Sequence, residues 1–238
     1  MILEVQDLVA GYEHRVLLRN LFFSVPEPGF IAIIGHNGCG KSTLFKTFTH
    51  QLPYSGKILL NGHDLKTIPN PAASGLLAHL PQKNVVSFPV KVKDLVVMGA
   101  YRKKKFLENY SLQDYETVAF LLEKLQISHL IERNFPDLSG GEQQLVWMAQ
   151  LMLQDATLCL LDEPTQQLDV YHKKKVFQLL ANWITENQKT VLCITHDLHN
   201  LISMAGYLLN LSKPNPKLEI ISEASVTENR EFLESAPY

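Results

Sequence analysis

Short apolar runs alternate with segments of helical periodicity along the chain, and two half-polar runs come first. Residues 2–8 and 17–25 have the character of strands, with Gly11, Tyr12 and Glu13 in the turn between them. Three later runs are apolar without a break, as in strands that are buried on both faces of a sheet. These three runs are Phe30–Ile34, residues 157–161 and residues 191–195.

Helical periodicity begins at Ser111, which forms a capping-box pattern with Asp114. The apolar residues that follow share one helical face, at Val118, Leu121, Leu122 and Leu125. Further helices are predicted over Gly140–Leu153 and over residues 170–186. The last helix is expected to bury Val176, Leu179, Leu180, Trp183 and Ile184.

The order of these elements predicts an α/β fold with a helical insertion. Residues 1–83 and 154–221 are expected to form the core, and residues 84–153 the inserted helical part. Residues 213–217 are typical of a turn, and residues 222–238 are expected to form a loosely packed acidic tail. At about 150 residues per domain, a chain of 238 residues suits one large domain or two small lobes.

Composition and charge exclude several classes of protein. The formal net charge of −2 excludes binding of nucleic acid by bulk positive potential. No apolar run approaches the roughly 20 residues that cross a bilayer, and no secretory signal is expected at the start. Cys39, Cys159 and Cys193 are odd in number and widely spaced, which indicates a reducing compartment. Composition therefore predicts a soluble, cytosolic protein.

A glycine-rich motif follows the first buried run and precedes a predicted helix. Gly35, His36, Asn37, Gly38, Cys39, Gly40, Lys41 and Ser42 fit G-x-x-x-x-G-K-[ST], and Thr43 continues into the helix. The glycines let backbone N–H groups converge on phosphate oxygens, at the positive end of the helix. Lys41 can reach the β- and γ-phosphates of ATP, and the Ser42 hydroxyl can bind Mg²⁺. This motif predicts a nucleoside triphosphate site.

A second motif ends another buried run with two carboxylates, Asp162 and Glu163. Asp162 can hold Mg²⁺ through water, and Glu163 can polarise an attacking water as a general base. Acidic pairs after strands are often only solvated. Beside a phosphate loop, the functional interpretation is favoured.

A third motif, Ser139, Gly140, Gly141 and Glu142, opens the helix that begins at Gly140. A hydroxyl and two unhindered N–H groups at a helix start form another anion-binding site. One nucleotide does not need two phosphate sites so far apart in the chain. The simplest arrangement is two chains placed head to tail, each completing the ATP site of the other.

With these motifs the chain resembles the ATP-binding cassette (ABC) ATPases, whose signature is LSGGQ, from Tyr12 to His196. The resemblance implies a P-loop NTPase fold: a RecA-like core, an N-terminal antiparallel β-subdomain and a helical subdomain. It implies that Tyr12 stacks on adenine and that Gln82 touches Mg²⁺ and the attacking water. It also implies that Asp169 links the two sites of a dimer and that His196 contacts the γ-phosphate.

The chain departs from the family pattern at a few positions. Glu142 replaces the usual glutamine, Leu145 stands where arginine is common, and Cys39 replaces serine or alanine. Gln166 and Gln167 replace small residues. None of these changes removes a phosphate ligand. His36 stands where proline is common, and it is expected to face outward.

The resemblance favours ATP hydrolysis, since a nucleotide kinase would have no use for the signature. DNA-repair ATPases carry long heptad insertions and translation factors join two cassettes, which this chain does not. The remaining interpretation is the ATPase subunit of a membrane transporter. Its implied partners are a second copy, separate permease chains and, indirectly, a substrate-binding protein. It would lie on the cytoplasmic face of the cell membrane.

Residues 85–99 and 114–118 are similar to the permease-facing pattern of metal-chelate importers, and residues 168–172 resemble the LDI-x-HQ of iron–siderophore, haem and cobalamin importers. Uptake of such a chelate is therefore expected, and zinc or manganese import is the nearest alternative. Basic runs at residues 102–105 and 173–175 are either solvated surfaces or contacts with anionic lipid.

Overall fold

The structure is a computed structural model that describes residues 1–13, 15–105, 107–166 and 168–235. Its strands are β1 (Leu3–Tyr12), β2 (Arg15–Val25), β3 (Phe30–Ile34), β4 (Tyr54–Leu60), β5 (His63–Asp64), β6 (Leu77–Leu80), β7 (Leu158–Asp162), β8 (Thr190–Ile194), β9 (Gly206–Asn210) and β10 (Leu218–Ile220). Its α-helices are α1 (Lys41–Phe48), α2 (Pro71–Ser74), α3 (Val92–Val97), α4 (Leu112–Lys124), α5 (Gly140–Leu153), α6 (Val170–Asn187), α7 (Leu198–Leu201) and α8 (Glu223–Ser235).

The strands form two sheets of different character. The first sheet is antiparallel, with strand order β2-β1-β4-β5. The second has the order β10-β9-β3-β8-β7-β6, and only β10 runs antiparallel to its neighbour. Strands β3 and β8 are buried at every residue, as their unbroken apolar sequences predict. Because parallel strands end at one edge, the loops that follow β3, β7 and β8 lie together.

The segment between β6 and β7 is helical, as predicted, and packs on the second sheet through α5. Its helix α4 begins at Ser111 with the expected capping box to Asp114. The Tyr115 hydroxyl donates to Asp94 Oδ1 at 3.1 Å, which joins α4 to α3. The division into core and helical parts stays a prediction. In the ranges that the structure describes, no helix has both the length and the apolar character to cross a bilayer.

The turn predicted at residues 11–13 lies later, because β1 continues to Tyr12, which pairs with Arg15. Gly11 permits this extension: a Cβ atom on it would lie 2.3 Å from the carbonyl oxygen of Arg15. Close approach of the two backbones therefore depends on a residue without a side chain. Glycine at residue 11 predicts a turn, whereas in the structure it permits close packing of two strands.

The last helix differs most from expectation. The loosely packed tail predicted after residue 222 is wrong for the described residues, because α8 packs with a fully buried Asn229 and with Val226 at 3% exposure. Asn229 accepts a hydrogen bond from Asn210 Nδ2 at 2.9 Å and donates to Glu219 Oε2 at 2.8 Å. The side-chain hydrogen bonds of Asn229 hold this helix in place. The acidic composition of the segment does not reveal these bonds. Residues 236–238 lie outside the described ranges.

Helix α6 also buries a slightly different set of residues than predicted. Val176, Leu180 and Ile184 are buried as expected, whereas Leu179 and Trp183 are half-buried. Phe177 is buried instead, with its ring centroid 6.2 Å from that of Phe30 in an edge-on contact.

A stability prediction follows from His79 in β6, whose Nε2 is buried without a partner and whose ring meets Phe45 edge-on at 5.9 Å. Burial lowers the pKa of His79 to about 4. In the unfolded chain the pKa of this histidine is about 6.5, so between pH 6.5 and 4 the unfolded state binds more protons than the folded state. The free energy of unfolding therefore falls as the pH drops from about 6.5 to 4. We expect this loss to approach about 3 kcal/mol.

In urea unfolding at both ends of this pH range, His79→Phe should abolish that part of the pH dependence. His63→Gln, at an exposed histidine, is the matched control and should retain it. An unchanged pH dependence in His79→Phe would contradict the assignment.

Candidate nucleotide-binding and hydrolysis site

The phosphate loop connects β3 to α1 and turns through glycines with positive φ. Gly40, at φ 107°, caps the start of α1, and a Cβ atom on it would lie 2.7 Å from Leu18 Cδ2. A side chain at residue 40 would meet both backbone strain and a steric clash. The loop therefore needs glycine where the motif has it, and the free N–H groups of the first turn of α1 face the loop.

Lys41 lies at the start of α1 and is only 7% exposed. Its Nζ donates to the carbonyl oxygens of Gly35 at 2.6 Å and His36 at 3.0 Å. These bonds hold the ammonium group inside the loop, where phosphate oxygens are expected. Ser42 is exposed and Thr43 is buried, so of these two hydroxyl side chains only that of Ser42 is open to solvent.

His36 does not face outward as expected. Its backbone N–H donates to Ser212 Oγ at 2.8 Å, and its Nδ1 lies 3.1 Å from the same oxygen. Its Nε2 is 2.9 Å from the carbonyl oxygen of Leu233 in α8. The ring is half-buried and connects the phosphate loop to the last helix.

The two carboxylates after β7 have different environments. Asp162 accepts a hydrogen bond from the Ser42 hydroxyl, which connects the end of β7 to the phosphate loop. Burial, followed by the nearby charge of Glu163, raises the pKa of Asp162 to about 6. Glu163 has a left-handed backbone with φ 51°, and its N–H donates to the Ile194 carbonyl at 3.0 Å. A positive φ is a strained conformation for a residue that carries a side chain.

Glu163 is held between two side chains from other parts of the chain. Gln82 Nε2 donates to Glu163 Oε2 at 3.1 Å, and His196 Nε2 lies 3.4 Å from Glu163 Oε1. The three border a cleft of about 450 Å³ that also reaches Asn37 of the phosphate loop. The cleft is lined by Asn37, Gln82, Glu163, Thr165, Gln166, Lys173, Thr195, His196 and Asp197.

Sequence reasoning missed several residues of this cleft. The buried Thr165 hydroxyl donates to Asp197 Oδ2, and Asp197 Oδ1 accepts from Lys173 Nζ at 2.6 Å. Gln166 Oε1 accepts a hydrogen bond from Gln82 at 2.9 Å. Asp197 directly follows His196, and Thr165 and Gln166 come two and three residues after Glu163, so their sequence signal is their position near these residues. Lys173 lies within α6 and has no such signal.

Tyr12 lies outside the lining of the cleft, at the end of β1. Its ring is 48% exposed, and Lys46 Nζ from α1 donates to its hydroxyl at 3.0 Å. That hydrogen bond lowers the pKa of Tyr12. An exposed aromatic face beside the helix of the phosphate loop is available for stacking.

The signature residues do not line the cleft of their own chain. Ser139 caps α5 in a capping box: its hydroxyl donates to Glu142 Oε2 at 2.6 Å, and the Glu142 N–H donates back to Ser139 Oγ at 3.4 Å. The bond from Ser139 lowers the pKa of Glu142. Gly140 borders a second cavity of about 250 Å³, which shares Gln82 with the cleft. A Cβ atom on Gly141 would lie 3.5 Å from Leu168 Cδ2.

Asp169 is exposed and caps α6, where its Oδ1 accepts from the N–H of His172 at 2.9 Å. The His172 backbone hydrogen bond lowers the pKa of Asp169. This capping function was not anticipated. Gln167, one of the departures from the family pattern, lies outside the described residues.

A phosphate loop at the end of a central parallel strand, with an acid pair at the same edge of the sheet two strands away, defines a P-loop nucleoside triphosphatase. The profile of the family described as ABC transporter matches residues 18–166. The chain belongs to this family and is an ATP-hydrolysing subunit of the ABC type. The prediction of the family from the motifs is thereby confirmed.

Comparisons with individual proteins agree with the family. The achromobactin transport ATP-binding protein of Dickeya dadantii is 36% identical over 86% of this chain and 76% of its own length. The zinc uptake system ATP-binding protein of Listeria innocua is 30% identical over 98% of this chain and 89% of its own. An inward-facing structure assigned to a metal-chelate type ABC transporter is 29% identical, with a TM-score of 0.83 over 99% of this chain and 89% of that chain.

The buried Thr165 gives a test of how the cleft is held together. Replacing it by valine removes the donor to Asp197, so we expect Thr165→Val to lower the free energy of unfolding by about 1–3 kcal/mol in urea titrations. Thr165→Ser retains the hydroxyl and should lose clearly less. Equal losses in the two variants would show that the hydrogen bond does not stabilise this turn.

Proposed function

We propose that this protein binds ATP and Mg²⁺, hydrolyses ATP as a head-to-tail homodimer and thereby powers uptake of a metal chelate through separate permease chains. The observation that carries the proposal is the cleft in which Asn37 of the phosphate loop meets Gln82, Glu163 and His196. A binding module without catalysis would not need a carboxylate held by two polar side chains beside a phosphate loop.

ATP binding is supported by the buried Lys41 and the glycine-rich loop around it. The Lys41 ammonium exchanges its bonds to Gly35 and His36 for bonds to phosphate oxygens, which are stronger acceptors because they are charged. Tyr12 offers an aromatic face for the adenine ring at the far side of α1. Cys39 takes the place of a serine in this loop without removing a backbone donor.

The residues present fit Mg²⁺, which proteins hold with few carboxylates, hydroxyls and the phosphates of the substrate. The Ser42 hydroxyl is bonded to the Asp162 carboxylate, so two oxygen donors already lie together at the loop. Gln82 can add its amide oxygen from the facing strand end. When bound, the cation neutralises charge on the β- and γ-phosphates.

Glu163 is the proposed general base. It accepts the proton of a water that attacks the γ-phosphorus, while the bond to the β-phosphate oxygen breaks and ADP leaves. Gln82 and His196 hold the Glu163 carboxylate from both sides, and His196 is exposed enough to reach the γ-phosphate. These contacts support orientation of the base before ATP arrives.

A second copy supplies the signature. Ser139, Gly140, Gly141 and Glu142 lie outside the lining of the cleft, although they form an anion-binding helix start. A head-to-tail dimer would bring them to the ATP of the partner. Glu142 places a carboxylate at this site, so binding of phosphate there has to overcome one negative charge that glutamine would not add. Asp169, exposed at the start of α6, is the proposed link between the two sites.

The permease contact is proposed for an exposed apolar row after Gln82. Val85 is 86% exposed, Phe88 58%, Met98 43% and Tyr101 43%. Scattered exposed apolar residues are ordinary, but four within one segment favour an interface. Tyr115 and Asp94, which belong to the importer-like pattern, bond to each other and support this segment from within.

Uptake of a metal chelate is favoured by the resemblance and by the relative that is an achromobactin transport ATP-binding protein. Zinc uptake is the alternative, supported by the Listeria relative. The permease would hold the protein at the cytoplasmic face of the membrane, and a binding protein would deliver the cargo. No nucleic acid is expected as a partner.

Lipid contact is not favoured for the basic runs at residues 102–105 and 173–175, because Lys104 pairs with Asp114 and Lys173 pairs with Asp197.

Removing the proposed base tests catalysis and dimerisation together. Glu163→Gln keeps the hydrogen-bonding shape but cannot take a proton, so we expect ATP binding to persist and hydrolysis to fall at least about 100-fold. With ATP trapped, size-exclusion chromatography in ATP and Mg²⁺ should show a dimer. Glu186→Gln, at an exposed carboxylate of α6, is the control. A Glu163→Gln protein that stays monomeric with ATP would refute the head-to-tail arrangement.

The permease proposal is tested by co-purification when the neighbouring permease genes are co-expressed. Phe88→Ser removes exposed apolar area from the proposed contact, so recovery of the permease with the tagged protein should fall. Phe22→Ser alters a similarly exposed phenylalanine, at 55%, on β2 and should leave recovery unchanged. Equal recovery with both variants would contradict the assignment of Phe88 to the permease contact. Recovery of wild-type protein with ribosomes or DNA ends would contradict the transporter interpretation.

A further inference from the structure

Gln166 contacts the cleft through its side-chain oxygen. Gln166 Oε1 accepts from Gln82 Nε2 at 2.9 Å, and the same nitrogen donates to Glu163 Oε2 at 3.1 Å. Both hydrogens of one amide group are thus used by two acceptors. The position is one where the resemblance implies a small residue, which could not reach Gln82.

The chemistry of Glu163 dictates which way the Gln82 amide points. An ionised carboxylate only accepts hydrogen bonds, so Gln82 has to turn its NH₂ group toward Glu163. With one N–H on Glu163, the second points at Gln166, whose Oε1 accepts it. The carbonyl oxygen of Gln82 is then turned away from both acceptors. In the reverse orientation that oxygen would face the carboxylate and lose both bonds.

The backbone around Gln166 is itself fixed. Its N–H donates to the Glu163 carbonyl at 3.2 Å, which closes a turn directly after β7. The preceding Thr165 is 1% exposed and bonded to Asp197. The exposed Gln166 side chain therefore extends from a fixed backbone, and it is long enough to reach Gln82.

We propose that Gln166 is a positioning residue: it locks the Gln82 amide with its nitrogen toward Glu163 and its oxygen free for Mg²⁺. The inference rests on the proposed hydrolysis site, and it assigns a role to Gln166, which replaces a small residue of the family pattern. It concerns an interaction within one chain and needs no partner subunit.

The test compares Gln166→Leu, which removes the acceptor, with Gln166→Glu, which retains it. The readout is the Mg²⁺ concentration at half-maximal binding of a fluorescent ATP analogue to the full chain. Loss of one such hydrogen bond predicts a value about 3- to 10-fold higher for Gln166→Leu. Gln166→Glu should stay at or below wild type, since its oxygen accepts and its charge attracts the cation. Binding without Mg²⁺ should not change.

A double-mutant cycle separates this role from a merely structural one. In a Gln82→Leu background, Gln166→Leu should change the Mg²⁺ dependence by less than about 2-fold. An equal effect in both backgrounds, or no effect of Gln166→Leu on wild type, overturns the proposal. Wild-type protein that shows no Mg²⁺-dependent binding would instead overturn the proposed function, and the proposal with it.

Discussion

Hydrogen bonding between parallel strands is the constraint on which the site depends. Strand β3 pairs with β8, and β8 with β7, so their carboxyl ends stop at one edge of the sheet. The phosphate loop, the acid pair and His196 are far apart in sequence, yet each follows one of these strands. A shift of one residue in this register would turn every side chain to the other face and separate the groups. Because β3 and β8 are buried at every residue, such a shift would also disrupt their close packing.

A second level of order comes from polar side chains that hold one another before any ligand binds. Lys41 is bonded to loop carbonyls, Ser42 to Asp162, and Glu163 to Gln82. Such networks reduce the reorganisation needed when phosphate and water arrive, because the donors already point inward. Burial and the neighbouring Glu163 carboxylate raise the pKa of Asp162 to about 6, and the Ser42 hydroxyl and the positive charge of Lys41 oppose that rise.

Most of the fold and the central motifs were predictable from sequence, because unbroken apolar runs, capping boxes and the phosphate loop are local signals. The boundaries of α5, and the capping of α4 by Ser111, agree with expectation. Two of the failures involve pairs that are distant in sequence. Asn229 is buried only because Asn210 and Glu219 meet it, and Gln166 reaches a residue from another strand end. Neither partner is marked by periodicity or composition, so a single sequence cannot reveal them.

The bond between His36 and α8 bears on how the chain folds during synthesis. His36 Nε2 and the Leu233 carbonyl are 197 positions apart, so the two ends of this contact are made at very different times. The phosphate loop leaves the ribosome early, but its support from α8 is complete only after the chain up to Leu233 has also emerged. Contacts of such long sequence separation form late. The nascent chain therefore holds its nucleotide loop in a less constrained form than the finished protein does.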